Sequence, residues 1–160
     1  NIMAKVKIYI DSSVPSAYYD NQKPARQKIT YHWWNEVMKQ DYEPYISVVT
    51  DAELNDTKDM NLRKKLVHLV NDLSLLEIPE EAVVLAESYI ENEIIPEEYR
   101  NDAIHIAIAT LYGIDILVSW NFAHLVNPET RRMVKGINLL KGYKEIDIVS
   151  PEELGGDKYA

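Results

Sequence analysis

Cysteine is absent from this chain of 160 residues. A disulfide framework and a thiolate metal site are therefore both excluded. No apolar run approaches the roughly 20 residues that a membrane-spanning helix needs, and the one early apolar run is interrupted by Lys5 and Lys7, so no signal peptide is expected. Asn1 and Ile2 precede Met3 and are set outside the domain. These absences predict a cytoplasmic protein with no membrane partner.

Basic residues and glycine are also scarce. The chain has 17 Lys and Arg against 26 Asp and Glu, a net charge of −9, and only 5 Gly. No glycine-rich phosphate loop is present. A protein of this charge can hold nucleic acid only if its cations cluster, or if bound metal ions reverse the sign of the site. The cations fall mainly into three groups, each of which also fits an ordinary solvated helix face: Lys23, Arg26 and Lys28; Arg63, Lys64 and Lys65; Arg131, Arg132 and Lys135.

Short apolar strands alternate with helical patterns along the whole chain. Strands are predicted at 6–10, 45–50, 75–78, 116–119 and 146–149, and helices at about 27–39, 62–73 and 79–93 and after Pro96 and Pro128. This alternation predicts an α/β fold of three layers, α/β/α, with a mostly parallel central sheet. We expect a single domain over residues 3–154 and a frayed tail over 155–160.

Four polar residues fall at the predicted carboxyl edge of the sheet. Asp11 directly follows the first strand, Glu53 lies just past the second, Asp102 is near the start of a helix, and Asn121 follows the 116–119 strand. Parallel α/β sheets bind ligands at this edge. Clustered carboxylates repel one another unless a cation shares the site, and hard oxygen ligands favour Mg²⁺ or Mn²⁺. The spacing therefore indicates a divalent-metal site.

Each of these residues also has a simpler structural explanation. Most carboxylates are solvated surface residues; Asp11 could cap the next helix, and Asp102 could favour a helix N-terminus. Ser12 and Ser13 suit helix capping or a hydrogen bond to Asp11 or a phosphate. His105 could be a partner of a metal ligand or a packed core histidine. His124, close to Asn121, could contact substrate.

Blocks of the chain resemble PIN-domain proteins, in the same order. The pattern Asp-Ala-x-His-x-Ala-x-Ala, which begins at Asp102, is the most specific of them. The other blocks resemble the opening strand with its first acid, the segment of the second acid, the strand with the fourth polar position, and the closing strand: 8–13, 50–54, 115–122 and 148–154. Together they span almost the whole chain.

The resemblance implies a metal-dependent ribonuclease. The family includes the VapC-like toxins of bacterial toxin–antitoxin pairs, which are often dimeric and often held inactive by a small antitoxin. By the resemblance, Asp11, Glu53, Asp102 and Asn121 would be both the metal ligands and the catalytic residues, with RNA as the substrate. Many PIN nucleases have Asp where this chain has Asn121. The amide adds no charge, so a second metal ion should bind more weakly here.

Two other functions compete with the ribonuclease. The first is a PIN-fold binding module with weak or no catalysis, which Asn121 and the acidic charge favour. The second is an aspartyl-phosphate phosphohydrolase with Asp11 as nucleophile, although Ser13 stands where such enzymes have a second Asp. Trp33 and Trp34 are adjacent and cannot share one helix face, so one of them is expected to be partly exposed. An exposed Trp there would indicate a dimer or antitoxin surface.

Overall fold

The computed structural model describes residues 4–156 of the chain. Strands and helices alternate in the following order: β1 (Val6–Ile10), α1 (Ser13–Tyr18), α2 (Pro24–His32), a π-helical segment (Trp33–Met38), α3 (Lys39–Asp41), β2 (Tyr42–Ser47), α4 (Val48–Asn55), α5 (Met60–Val70), β3 (Ser74–Leu76), α6 (Glu80–Glu91), a 3₁₀ turn (Glu97–Tyr99), α7 (Arg100–Leu111), β4 (Ile116–Val118), α8 (Pro128–Leu140) and β5 (Asp147–Val149). No helix among these residues has the length and hydropathy needed to cross a membrane.

The strands form one sheet in the order β3-β2-β1-β4-β5, and every neighbouring pair is parallel. The chain therefore moves outward from β1 to one edge through β2 and β3, and then to the other edge through β4 and β5. This reversal places the topological switch point between β1 and β4, where open α/β sheets bind their ligands. The predicted three-layer α/β/α fold with a parallel sheet is confirmed.

Alternate side chains of the strands enter two separate cores. Tyr9 and Leu117 pack on one face of the sheet with α6, α7 and α8. Ile8, Ile10 and Val118 pack on the other face with α1, α2 and α5. Burying an aliphatic side chain of this size stabilises a fold by about 1.5–3 kcal/mol. The strands between two apolar layers are thus fixed at both faces, and their carboxyl ends are held in place.

The second strand differs from its prediction. The sequence predicts it over 45–50, but β2 begins at Tyr42 and ends at Ser47, and helix α4 begins at Val48. The Ser47 hydroxyl accepts hydrogen bonds from the backbone N–H groups of residues 49 and 50, which starts the helix in spite of the β-branched residues there. Pro44 lies within β2. It pairs with β1 at a point where β3 has not yet joined, so the strand has an open edge that tolerates proline.

The expected exposure of a tryptophan is wrong. Trp33 and Trp34 are both buried in the core beneath α1, α2 and α5. They lie in the π-helical segment that prolongs α2, where the wider turn changes the directions in which successive side chains point. The tryptophan pair therefore indicates no dimer or antitoxin surface.

Packed structure continues slightly beyond the predicted end of the domain. The Gly156 amide donates to the Pro151 carbonyl at 3.0 Å, and Gly156 is buried. A Cβ at this position would lie 2.8 Å from Cγ2 of Ile29 and 2.9 Å from the Pro151 oxygen, so glycine allows the close approach. Gly155 and Gly156 therefore continue the described structure past the predicted boundary at 154, and the rest of the predicted tail, 157–160, lies outside the described residues.

Candidate active site

The switch point brings Asp11 beside Ser119. Ile10 of β1 is in register with Val118 of β4, so the next residue of each strand is also adjacent. The Asp11 amide donates to the Val118 carbonyl at 3.3 Å, and the Ser119 hydroxyl donates to Oδ2 of Asp11 at 2.6 Å. The first acid of the site is therefore fixed by the sheet itself.

Asp11 is almost completely enclosed, with 3% of its surface exposed. Its Oδ1 accepts hydrogen bonds from the Ser13 amide at 3.1 Å and the Ser13 hydroxyl at 2.5 Å. Burial raises the pKa of Asp11, and the charge of His105 and the hydroxyls of Ser119 and Ser13 partly offset this rise. The contact with the Ser13 amide matches the simpler explanation of Asp11 as a residue that caps the following helix, but the other contacts extend beyond a cap.

The two serines after Asp11 connect it to its neighbours. Ser12 stands at the N-terminus of α1 but its side chain does not cap the helix. Its hydroxyl instead donates to Oε1 of Glu53 at 3.2 Å. The Ser13 oxygen accepts the backbone N–H of Trp120 at 2.8 Å. The expected hydrogen bond between these serines and Asp11 is confirmed for Ser13, and Ser12 binds the second acid.

Glu53 pairs with a buried histidine. Glu53 lies inside α4, the helix that directly follows β2, and its Oε1 is 2.6 Å from Nε2 of His105. The other ring nitrogen of His105, Nδ1, is 2.5 Å from the Tyr9 hydroxyl, which in turn is 2.6 Å from the Ser47 hydroxyl. His105 is therefore more than a packed core residue, because it orients Glu53 from behind.

The charges in this chain of contacts support one another. Burial alone would lower the pKa of His105, but the Tyr9 oxygen and the Glu53 carboxylate outweigh it and raise the pKa to about 10. Burial works to raise the pKa of Glu53, and the hydrogen bond and charge of His105, with Ser12 and Asn101, turn the net shift downward. At neutral pH, Glu53 is ionised and His105 is an imidazolium. The acids of the site therefore share one internal cation.

Asp102 lies in the first turn of α7 and has a different set of partners. Nδ2 of Asn121 donates to its Oδ2 at 3.1 Å, and Nδ1 of His124 is 3.2 Å from the same oxygen. The His124 ring packs against Tyr99, with centroids 4.0 Å apart. Burial raises the pKa of Asp102, and the charges of His105 and His124 partly offset the rise. His124 thus belongs to the site through Asp102.

Asn121 is placed at the site but turns its amide nitrogen towards the acids. Its Oδ1 accepts the His124 backbone N–H at 3.0 Å, which fixes the orientation of the side-chain amide. Nδ2 is then the atom that faces Asp102. In this arrangement Asn121 holds an acid by donating a hydrogen bond, whereas a metal ligand would present its oxygen.

The chemistry of the donors fits a hard divalent ion better than their spacing does. Asp11, Glu53 and Asp102 are carboxylates, the ligands that Mg²⁺ and Mn²⁺ prefer. Within residues 4–156, however, no three His, Asp or Glu side chains are grouped closely enough to hold one ion. Mg²⁺ usually keeps several waters and binds proteins through one or two carboxylates. The residues therefore fit an ion bound by a pair of these acids and water.

Several members of the site are not identifiable from the sequence. In the sequence, Ser119 looks like the last residue of a strand and Tyr9 looks like a core aromatic residue. Tyr99 only precedes the helix that contains Asp102. The one usable signal is positional: a hydroxyl at the carboxyl end of β4, the strand beside β1, faces the residue after β1. The partner of the Tyr9 hydroxyl depends on the long-range packing of α7 on the sheet.

Comparison with solved structures identifies the same fold. The chain is similar to VapBC2 from Rickettsia felis bound to a DNA fragment from their promoter (14% identity, 91% of this chain and 98% of that chain, TM-score 0.57). It is also similar to VapC20 from Mycobacterium tuberculosis, a Sarcin-Ricin loop cleaving toxin (14% identity, 88% and 98%, TM-score 0.57). A third is FitAcB from Neisseria gonorrhoeae (13% identity, 91% and 98%, TM-score 0.58). No family model and no curated protein sequence matches the chain.

Proposed function

From the PIN-like fold that the chain shares with these VapC and FitAcB structures, we propose that it is a divalent-metal-dependent ribonuclease that cleaves RNA internally. We further propose that it is the toxin of a bacterial toxin–antitoxin pair. The shared fold covers nearly the full length of the chains compared. At this level of identity the activity must be argued from the chain's own residues.

The observation that supports a nuclease site is the network at the switch point. Asp11, Glu53 and Asp102 reach the same edge of the sheet from β1, α4 and α7, and each charge influences another: Asp102 acts on Asp11, and Glu53 acts on Asp102. Hydrogen bonds connect Asp11 to Asp102 through Ser119 and Asn121. Glu53 accepts a hydrogen bond from Ser12, the residue that follows Asp11 in the chain. A surface that only needed solubility would leave its carboxylates exposed, whereas Asp11 is buried and Glu53 and Asp102 are partly buried.

Glu53 and Asp102 are the residues that would hold Mg²⁺ or Mn²⁺ at the surface of the site, with Asp11 behind them. His105 and Ser12 contact one oxygen of Glu53, Oε1, and Asn121 and His124 contact one oxygen of Asp102, Oδ2. Oε2 and Oδ1 have none of these contacts. A bound ion of this kind supplies a water nucleophile and offsets charge on the phosphate.

The remaining residues would keep Glu53 ionised and hold Asp11 and Asp102 in position. The imidazolium of His105 keeps Glu53 ionised, the hydroxyls of Ser13 and Ser119 hold Asp11, and Asn121 holds Asp102. Such partners of metal ligands commonly change metal affinity or activity by about 10–100-fold when they are removed.

The partners follow from the same proposal. We expect RNA as substrate, a small antitoxin as the inhibitory partner, and a cytoplasmic location. VapBC2 and FitAcB, which share the fold, support the antitoxin. A homodimer is proposed on the family resemblance alone, because the tryptophan pair that was expected to mark an interface is buried.

The test is cleavage of a single-stranded RNA pool with Mn²⁺ and with EDTA. The parent protein should cleave only with Mn²⁺, and Asp102→Asn should lower the rate by at least about 10-fold, since it removes a ligand charge. Asp59→Asn is the matched control, because the Asp59 carboxylate caps α5 by accepting two backbone amides, and asparagine can accept them equally well. Equal rates for the parent and Asp102→Asn would contradict the proposed site.

A second candidate is a binding module without useful catalysis. It is favoured by the donor that Asn121 presents to Asp102 and by the wide spacing of the acids in residues 4–156. In the same assay this module would leave the RNA intact at every Mn²⁺ concentration. The phosphohydrolase is less favoured, because both oxygens of Asp11 already accept hydrogen bonds and the side chain is enclosed, which leaves a poor nucleophile.

A further inference from the structure

A cation and two aromatic rings form a stack at the rim of the acidic site. The guanidinium of Arg26 lies 4.9 Å from the centroid of the Trp120 ring and 5.6 Å from that of Phe122. The two rings meet edge to face at 6.0 Å. Trp120 is buried, but Phe122 is 45% exposed. The residue between the rings is Asn121, the partner of Asp102, so the exposed ring directly adjoins the site.

Arg26 has no acidic partner among residues 4–156. The ion pairs formed in that part of the chain involve other cations, and the guanidinium stays against the aromatic rings. A guanidinium has several N–H donors in a planar fork that suits phosphate. In a protein of net charge −9, an arginine held beside an acidic site without a carboxylate partner needs an explanation.

Hydrogen bonds fix this stack relative to the acids. The Trp120 amide donates to the Ser13 hydroxyl oxygen at 2.8 Å, and the same hydroxyl donates to Asp11. The indole Nε1 of Trp120 donates to Thr30 Oγ1 at 2.8 Å, and Thr30 Oγ1 donates to the Arg26 carbonyl at 2.7 Å. Helix α2, which contains Arg26 and Thr30, is therefore tied to the loop after β4.

A second half-exposed ring lies near the other partner of Asp102. Tyr99 is 50% exposed and packs against His124. Phe122 and Tyr99 thus adjoin Asn121 and His124 respectively, the two residues that contact Asp102. Exposed rings are what proteins use to bind single strands, because every unpaired base has a face that stacks.

We propose that Phe122 and Arg26 form a nucleotide subsite that takes one unpaired base of single-stranded RNA on the Phe122 ring and an adjoining phosphate on the Arg26 guanidinium. This inference rests on the proposed ribonuclease function and names the form of RNA that the site accepts. Stacking is insensitive to net charge, so it explains how an acidic protein could retain RNA beside its carboxylates. A duplex keeps its bases stacked within the helix and cannot offer one to the ring.

The test is binding of a fluorescein-labelled single-stranded RNA decamer, followed by anisotropy in EDTA so that metal-dependent cleavage is prevented. Phe122→Ala should weaken binding by roughly 10-fold or more, the usual effect of removing a stacking ring. Phe122→Tyr should bind like the parent. On a decamer of the same length with abasic nucleotides, Phe122→Ala should bind as the parent does, since no base remains to stack.

Arg26→Ala should give the complementary pattern. It should weaken both the normal and the abasic decamer, and the loss should shrink as salt is raised, because a phosphate contact is lost. Arg26→Lys should recover part of the binding. Tyr112→Ala and Lys141→Ala are the matched controls: Tyr112 follows α7 and Lys141 follows α8, far along each helix from the site. Both should bind like the parent, and circular dichroism should show all variants folded.

Particular results would overturn the subsite. Parent-like binding by both Phe122→Ala and Arg26→Ala would do so, as would an equal effect of Phe122→Ala on normal and abasic RNA, or equal losses on single-stranded and duplex RNA. The ribonuclease proposal is tested separately by cleavage with Mn²⁺. If the protein binds RNA through Phe122 and Arg26 but never cleaves it, the subsite stands and the ribonuclease proposal is contradicted. If it cleaves RNA but binds equally well without Phe122 and Arg26, the ribonuclease proposal stands and the subsite is contradicted.

Discussion

Two carboxylate–histidine pairs of the same kind occupy different environments within one site. Nε2 of His105 is 2.6 Å from Glu53, and the side chains are 1% and 29% exposed respectively. Nδ1 of His124 is 3.2 Å from Asp102, and those side chains are 21% and 16% exposed. His105 lies wholly inside the protein, whereas His124 and Asp102 are both partly exposed to solvent.

The difference in burial indicates different roles for His105 and His124. His105 has both ring nitrogens engaged, one by Glu53 and the other by Tyr9, so its ring has a single position. His124 uses Nδ1 for Asp102 and packs against the half-exposed Tyr99. We expect the inner pair, His105 and Glu53, to stabilise the fold while it holds Glu53 in place at the site, and the outer pair, His124 and Asp102, to change partners when a metal ion or RNA enters.

The largest effect on stability should come from His105→Leu. It leaves the Glu53 carboxylate and the Tyr9 hydroxyl without the histidine partner in the interior, and breaking a buried ion pair in this way costs about 3 kcal/mol or more. Urea unfolding of the variant measures the loss in the free energy of unfolding. His68→Leu is the control, since His68 lies on the exposed face of α5 and should change stability by less than about 0.5 kcal/mol. A small loss for His105→Leu would mean that the inner pair is not a structural support.

The pH dependence of stability should change with the same residue. The pKa of His105 is raised to about 10 in the folded protein, from an ordinary value of 6.5. Its contribution to stability is therefore fully present below pH 6.5 and lost as the pH rises towards 10. The melting temperature of the metal-free parent should fall as the pH rises across this window. His68→Leu should show the same fall, and His105→Leu should not. Parallel curves for the parent and His105→Leu would contradict the assignment.

The smallest effect on stability should come from His124→Ala. One hydrogen bond to a partly exposed acid is lost, so the free energy of unfolding should fall by about 1 kcal/mol or less. RNA cleavage with Mn²⁺ should nevertheless fall by about 10-fold, as for other partners of metal ligands. Stability and initial rate are measured on the same preparation. A large loss of stability with an unchanged rate would reverse the roles of the two pairs.

The fold could be derived from the sequence because its signals are local. Apolar strands alternate with capped helices, and the helix predicted after Pro128 is α8, which Asn127 caps with a side chain that accepts the Thr130 amide at 2.8 Å. The predicted strand over 45–50 ends early in the structure because Ser47 combines three roles that a local pattern cannot separate. It ends β2, and its hydroxyl both starts α4 and contacts Tyr9.

The position of the acids in sequence did not reveal their environments. The sequence alone places the acids after predicted strands or at the start of a helix: Asp11, Glu53 and Asp102. In the structure they lie at one edge of the sheet. The burial that raises the pKa of Asp11 and Asp102 depends on packing from distant elements. The orientation of Asn121 depends on a single contact, from the His124 amide to Oδ1, which no pattern of residue types could predict.

The central claim is that the acids beside Asn121 form a metal-dependent nuclease site, and Asn121→Asp tests it most directly. The new carboxylate would keep one oxygen on the His124 amide and place the other near Oδ2 of Asp102, where Asn121 now donates at 3.1 Å. Without metal the like charges should destabilise the protein. With metal the added charge should strengthen binding by on the order of 1 kcal/mol or more.

The measurement is the initial rate of cleavage of a single-stranded RNA pool against Mn²⁺ concentration for the parent, Asn121→Asp and Asp102→Asn. We predict that Asn121→Asp reaches its half-maximal rate at a lower Mn²⁺ concentration than the parent, and that Asp102→Asn stays near background throughout. Flat and equal curves for all three proteins would contradict the nuclease account and leave the binding module in its place.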